Sequence, residues 1–113
     1  MVKAEDFLRA QLKSLDERAQ VRDQPGGERS MFPAVAAFNA MFGHNLTEEE
    51  GWQFMVLLKM ARAKGGKFRF DDYCDQSGYS ALAGEAAERA RGNQVEDRHE
   101  VNMIGPADTR LKS

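Results

Sequence analysis

Three groupings in this 113-residue chain have residue types and spacings that suit chemistry. The first is Gly26-Gly27-Glu28-Arg29-Ser30. Backbone N–H groups around two glycines, the Arg29 guanidinium and the start of a helix after Ser30 can together hold a phosphate or carboxylate. No lysine follows the glycines as a P-loop requires, and a well-capped turn accounts for the same residues. The second grouping pairs Lys59 and Arg62, three apart, with Asp75 and Tyr79, four apart. On two adjacent helices these four form either an ion pair that locks the helices together or a clamp for an anionic ligand. The third is acidic. Asp72 and Asp75 share a helix face and are weak candidates for Mg²⁺ ligands, as Glu85 and Glu88 repeat the spacing further on. A solvated face explains them too, with Glu85 and Glu88 paired to Arg89 and Arg91.

Other chemistry has little support. Cys74 lies among small residues, where a cysteine behaves as an inert hydrophobe. His44 and His99 fall in separate segments, and one cysteine with two distant histidines cannot build a structural zinc site. No serine stands in a nucleophile-elbow context.

These residues are positioned by helices. The organising stretch is Thr47 to Ala63, TEEEGWQFMVLLKMARA. Thr47 and Glu50 have capping-box spacing, and Glu48, Glu49 and Glu50 place negative charge at the positive end of the helix dipole. Beyond Trp52 the run is apolar on nearly every face, which predicts a central, buried helix with Trp52, Leu57 and Leu58 deeply placed. It is too short and too interrupted to span a bilayer, and Gly65-Gly66 ends it.

Before it, Ala4 to Gln20 reads as an amphipathic helix with Phe7, Leu8, Leu12 and Leu15 inward. Asp23 to Ser30 is a break. Ser30 is expected to cap a helix from Met31 to Phe42, with Val35, Phe38, Met41 and Phe42 inward and Gly43 as its stop. After it, Lys64 to Phe70 reads as a loop that plugs Phe68 and Phe70 into the core. Asp71 or Asp72 then caps a fourth helix running to about Arg91, and Gly92 ends it. Cys74, Ser77, Gly78, Ala81 and Gly84 form a small-residue stripe along it, placed for close approach to the central helix.

The expected fold is therefore all-α: a four-helix, bundle-like domain over residues 1–91. The polar residues 92–113, with only Val101, Met103 and Ile104 as large apolar groups, are expected to be a mobile tail. Charged residues make up 30% of the chain and the net charge is only -2, so no nucleic-acid surface is expected. The charged start MVKAEDFLRAQ lacks the apolar core of a signal peptide, and the lone cysteine gives no disulfide, so a cytoplasmic protein is the expectation.

The segments DQPGGERSMFPAVAAFNAMFG, LTEEEGWQFMVLLKMARA and DDYCDQSGYSALAGEAA resemble a family of small, uncharacterised proteins of tailed bacteriophages and prophages, over about Glu17 to Ala87. No activity travels with that family. A looser similarity connects the last two segments to phage nucleotide-modification-associated domains and to the all-α (MazG-like) nucleoside triphosphate pyrophosphatases. Those enzymes hold Mg²⁺ with E-x-x-E on one helix and E-x-x-D on the next. Here only Asp72-x-x-Asp75 resembles half of such a site, while Lys59 and Arg62 stand where acids belong.

Two functions are expected from this. One is a non-catalytic phage accessory protein, in the host cytoplasm, that binds a host or phage protein. The other is a nucleotide- or phosphate-binding protein, with Mg²⁺ as cofactor only if it hydrolyses nucleotides. For the second, Gly26, Gly27, Glu28, Arg29, Ser30, Lys59, Arg62, Asp75 and Tyr79 are expected to converge on one pocket.

Overall fold

The structure is a computed structural model that describes residues 1–19 and 30–92. Among these residues all regular structure is helical: α1 (Ala4–Ala19), α2 (Met31–Phe42), α3 (Glu48–Lys64) and α4 (Phe70–Ala90). No helix among them is long and apolar enough to cross a membrane. The expected tail lies outside the described residues, apart from Gly92.

The antiparallel pair α3–α4 is the spine, with α1 laid on α4 and α2 on α3. The start of α3 is the capping box: the Thr47 amide donates to Glu50 Oε1 at 2.9 Å and the Glu50 amide to Thr47 Oγ1 at 3.0 Å. Gly43 ends α2 with φ 71°, a left-handed conformation that glycine adopts without penalty. The Asn39 side chain clasps the link that follows. It donates to the Leu46 carbonyl and accepts from the Leu46 amide, at 3.0 and 2.9 Å.

The core is small. Trp52 packs with Leu82, Ala83 and Ala86 of α4, and Leu15, Met31, Met55 and Tyr79 close round them. Two alanines on α4 leave the room that the indole fills. Where α2 crosses α3, Gly51 allows the approach: a Cβ there would meet Met31 Sδ at 2.6 Å and Val35 Cγ1 at 2.8 Å.

Several burial expectations need correction. The central helix is covered on one side only: Trp52 is buried and Leu58 half-buried, but Phe54, Leu57 and Met60 face outward. On α2 only Val35 is buried, while Phe38, Met41 and Phe42 are exposed. The reason is the helix arrangement: among the described helices α2 packs on α3 alone. On α1 the inward side is turned from the Leu8–Leu12 stripe to Phe7, Gln11 and Leu15. Gly78 explains the turn: it leaves space on α4 that the buried Gln11 amide occupies.

The small-residue stripe divides accordingly. Cys74 and Gly78 are buried, with Gly78 against α1, whereas Ala81 and Gly84 are exposed. Ser30 is itself in helical geometry and its side chain makes no cap bond. Nor do Asp71 and Asp72 cap α4, since the helix begins at Phe70 and both acids sit in its first turn. Phe70 stacks on Phe7 at 4.6 Å between ring centres, and the exposed Phe68 on Tyr73 at 5.8 Å. These rings form a satellite cluster that ties α1 to the start of α4, rather than plugs in the core.

Candidate functional site

At the end of the spine where α3 turns into α4, charge collects. The Lys59 ammonium lies 2.9 Å from Asp75 Oδ2, with the two side chains only 15% and 22% exposed. This ion pair joins α3 to α4 as the residue spacing anticipated. Around it Arg62, Gly65, Gly66, Lys67, Arg69, Asp71 and Asp72 line a cleft of about 520 Å³. The side chains of Arg62, Lys67 and Arg69 form no ion pair among the described residues. Arg62 also stands in the last turn of α3, where a cation complements the helix dipole. Asp72 is 95% buried, and its Oδ2 has no partner among the described residues. From the sequence Asp72 is a metal candidate and a candidate cap of the fourth helix, not a buried residue. Its burial follows from its place on the α3-facing side of α4, one turn before Asp75.

The donors do not fit Mg²⁺. Asp75 is taken by an ammonium, the cleft is rimmed by guanidinium and ammonium groups, and no group of three or more His, Cys, Asp or Glu among the described residues is placed to hold a metal ion.

Tyr79 belongs elsewhere. Its ring stacks on Trp52, 5.7 Å between centres, on the floor of a wider groove of about 870 Å³ that Ser30 also lines. The expected single pocket thus divides: Lys59, Arg62 and Asp75 meet at the α3–α4 turn, while Tyr79 and Ser30 line the groove. Gly26, Gly27, Glu28 and Arg29 lie outside the described residues.

At the other end of the spine, Arg89 Nη2 donates to Glu48 Oε2 at 2.7 Å, and Arg91 Nη1 stands 3.9 Å from Glu49. The arginines of α4 therefore reach the acidic start of α3, where sequence reading had paired them with Glu85 and Glu88 on their own helix. The i, i+4 rule sees only neighbours on one helix, and the antiparallel α3–α4 packing supplies closer carboxylates.

Residues 15–87 match the family described as "Domain of unknown function (DUF6378)". The chain belongs to this family. No curated protein and no solved structure matches it. The DUF6378 match runs from Leu15 to Ala87, so it takes in the core cluster, the α3–α4 cleft and the aromatic groove. It spans nearly the residues on which the resemblance to an uncharacterised family rests. The family description assigns DUF6378 no activity.

Cys74 is buried, its thiol is held above the ordinary pKa of 9.0 by burial first, and then by the charges of Asp71 and Asp75. A raised folded-state pKa means that the native protein holds the thiol proton more tightly than the unfolded chain. Stability is therefore untouched by this group below its ordinary pKa and falls as pH rises through and beyond it. We expect a disulfide reagent such as Ellman's to label Cys74 slowly at neutral pH, and at the free-thiol rate in denaturant. Rapid labelling of the native protein would contradict this burial.

Proposed function

We propose that this chain is a non-catalytic binding protein that works by docking its α2–α3 hairpin onto another protein. The observation that carries the reading is the surface of α2. None of its twelve residues is charged and only Val35 is buried. Phe38, Met41 and Phe42 are exposed on it, and Phe54 and Leu57 on α3. Soluble monomers rarely leave so many large apolar side chains uncovered without a partner for them. The resemblance to phage and prophage proteins supports a phage accessory role, exercised in the cytoplasm of the host cell. The test is capture by the tagged full chain from a bacterial lysate that also contains an untagged copy. Proteins retained by the wild type should be lost with Phe54→Glu/Leu57→Glu, at unchanged circular dichroism. Equal retention by both, or none by either, would overturn the reading.

A second reading has its own observation. Arg62, Lys67 and Arg69, unpaired among the described residues, line one cleft beside Gly65-Gly66. Such a cleft suits a small anion, including the phosphates of a nucleotide, better than a cation. Its test is a thermal melt with phosphate or a nucleotide, in which Arg62→Ala should lose the stabilisation that the wild type gains.

A further inference from the structure

We infer that the cleft at the α3–α4 turn takes a phosphate that still carries a proton, with the Asp72 carboxylate accepting the hydrogen bond of its P–OH group. The inference rests on the anion-cleft reading above and names the ligand class.

Two sets of groups line this cleft, and each asks something different of a ligand. The first set asks for an anion. Arg62, Lys67 and Arg69 are exposed there and form no ion pair among the described residues. The 21-residue helix α4 also begins there, and its N-cap, Arg69, makes no side-chain cap bond. Among the described residues the amides of Phe70 and Asp71 have no backbone acceptor. Free amides at a helix start, with guanidinium groups beside them, are the ordinary means of holding an oxyanion.

The second set asks for a hydrogen-bond donor. Asp72 lines the same cleft at 5% exposure, and its Oδ2 has no partner among the described residues. A buried carboxylate oxygen is unfavourable without a donor. The nearby ammonium does not supply one, because Lys59 is engaged by Asp75 at 2.9 Å. Torsion about the terminal bond of an aspartate is soft, so either oxygen can turn toward a group bound in the cleft. Asp75 is neutralised by Lys59, and Asp71 is exposed, where solvent screens it. Asp72 is therefore the carboxylate that a bound anion must satisfy.

Most oxyanions fail that requirement. Sulfate and a phosphodiester carry no proton at neutral pH and offer Asp72 only like charge. Inorganic phosphate always keeps at least one hydroxyl there, and a phosphate monoester, with a second pKa of about 6, keeps one in part of its population. A hydroxyl on the bound anion turns Asp72 from a repelling neighbour into the acceptor of a charge-assisted hydrogen bond. The cations attract any oxyanion, and Asp72 makes the choice among them.

The experiment is an NMR titration of the full chain at neutral pH in a phosphate-free buffer. Ionic strength is held fixed, because phosphate and sulfate also stabilise proteins non-specifically as salts. The amides of Gly65, Gly66 and Asp71 report binding, and the probes are inorganic phosphate, adenosine monophosphate, dimethyl phosphate and sulfate. The wild type should bind inorganic phosphate roughly tenfold or more tighter than sulfate, the worth of a hydrogen bond to a charged group. Dimethyl phosphate should bind no better than sulfate. The tighter of inorganic phosphate and adenosine monophosphate distinguishes a free phosphate from a phosphate monoester as the source. Asp72→Asn keeps the shape but brings an amide that donates, so it should erase or reverse the preference for phosphate over sulfate. Equal wild-type affinity for phosphate and sulfate overturns the inference and leaves the anion-cleft reading standing, and that comparison needs no variant. A preference that a folded Asp72→Asn leaves unchanged overturns it too. If none of these probes moves the three amides, the anion-cleft reading falls with it.

Discussion

Trp52→Ala is expected to remove about 3–5 kcal/mol of stability, the range for truncating a buried aromatic. Against a total of roughly 5–15 kcal/mol for a domain of this kind, that leaves the protein marginal or unfolded at ambient temperature. The size follows from how little else the core contains. Trp52 is 6% exposed, and its buried neighbours are Leu82, Ala83 and Ala86. Two alanines cannot swell to fill the space of an indole, and Tyr79 would lose the ring it stacks on. Trp52→Phe should recover part of the loss. Leu57→Ala, at a 58% exposed position, should stay within about 0.5 kcal/mol. Urea denaturation followed by far-UV circular dichroism measures all three. A Trp52→Ala midpoint within error of the wild type would mean that the core is not where the structure puts it.

Element types were readable because their signals are local. Thr47 and Glu50 announce the start of α3 within four residues, and Gly43 closes α2 where a left-handed residue is needed. Which face of a helix turns inward is not local. Hydrophobicity on α1 points to Leu8 and Leu12, yet Gln11 is the buried residue, because the matching space is Gly78, far along the chain on α4. The apolar run on α3 reads as burial on every side, but among the described residues α4 and the crossing α2 are the helices that cover it.

The same limit governed the candidate site. Lys59 and Asp75 meet because short links make α3 and α4 antiparallel neighbours, a rule that works from sequence. Tyr79, one turn further along α4, was grouped with them on spacing alone. It turns instead to Trp52, since an aromatic ring gains more from the stacked indole than from a charged cleft. Asp72 carries no sequence signal for burial beyond its spacing from Asp75. That its carboxylate is enclosed with an unpartnered oxygen is visible only once α3 lies across it.

Whether the Lys59–Asp75 pair is a structural lock or part of a binding site is decided by stability and binding measured together. Exposed pairs contribute ~0–1 kcal/mol, and breaking a fully buried one costs ~3–5 kcal/mol. With side chains 15% and 22% exposed, Lys59→Ala is expected to cost about 2–3 kcal/mol, between those limits. The loss has a specific origin: Asp75 would be left without its cation one turn from Asp72, whose Oδ2 already lacks a partner among the described residues. Lys59→Met keeps the apolar stem against the helix and should cost less than Lys59→Ala. Lys59→Met/Asp75→Leu removes both charges, so it should be close to wild-type stability, and the double-mutant cycle then isolates the pairing energy. Arg62→Ala, with no ion pair among the described residues to break, should stay within about 0.5 kcal/mol. Thermal melts with phosphate, pyrophosphate or a nucleotide, with and without Mg²⁺, supply the other half. If the cleft binds anions, the wild type should be stabilised by them and Arg62→Ala should lose that gain at an unchanged basal melting temperature. If Lys59→Ala instead leaves stability intact and abolishes the anion effect, the ion pair is a resting arrangement that ligand displaces, and the lock reading is wrong. If no anion shifts the wild type, the anion-binding reading falls and the pair stands as a lock between α3 and α4.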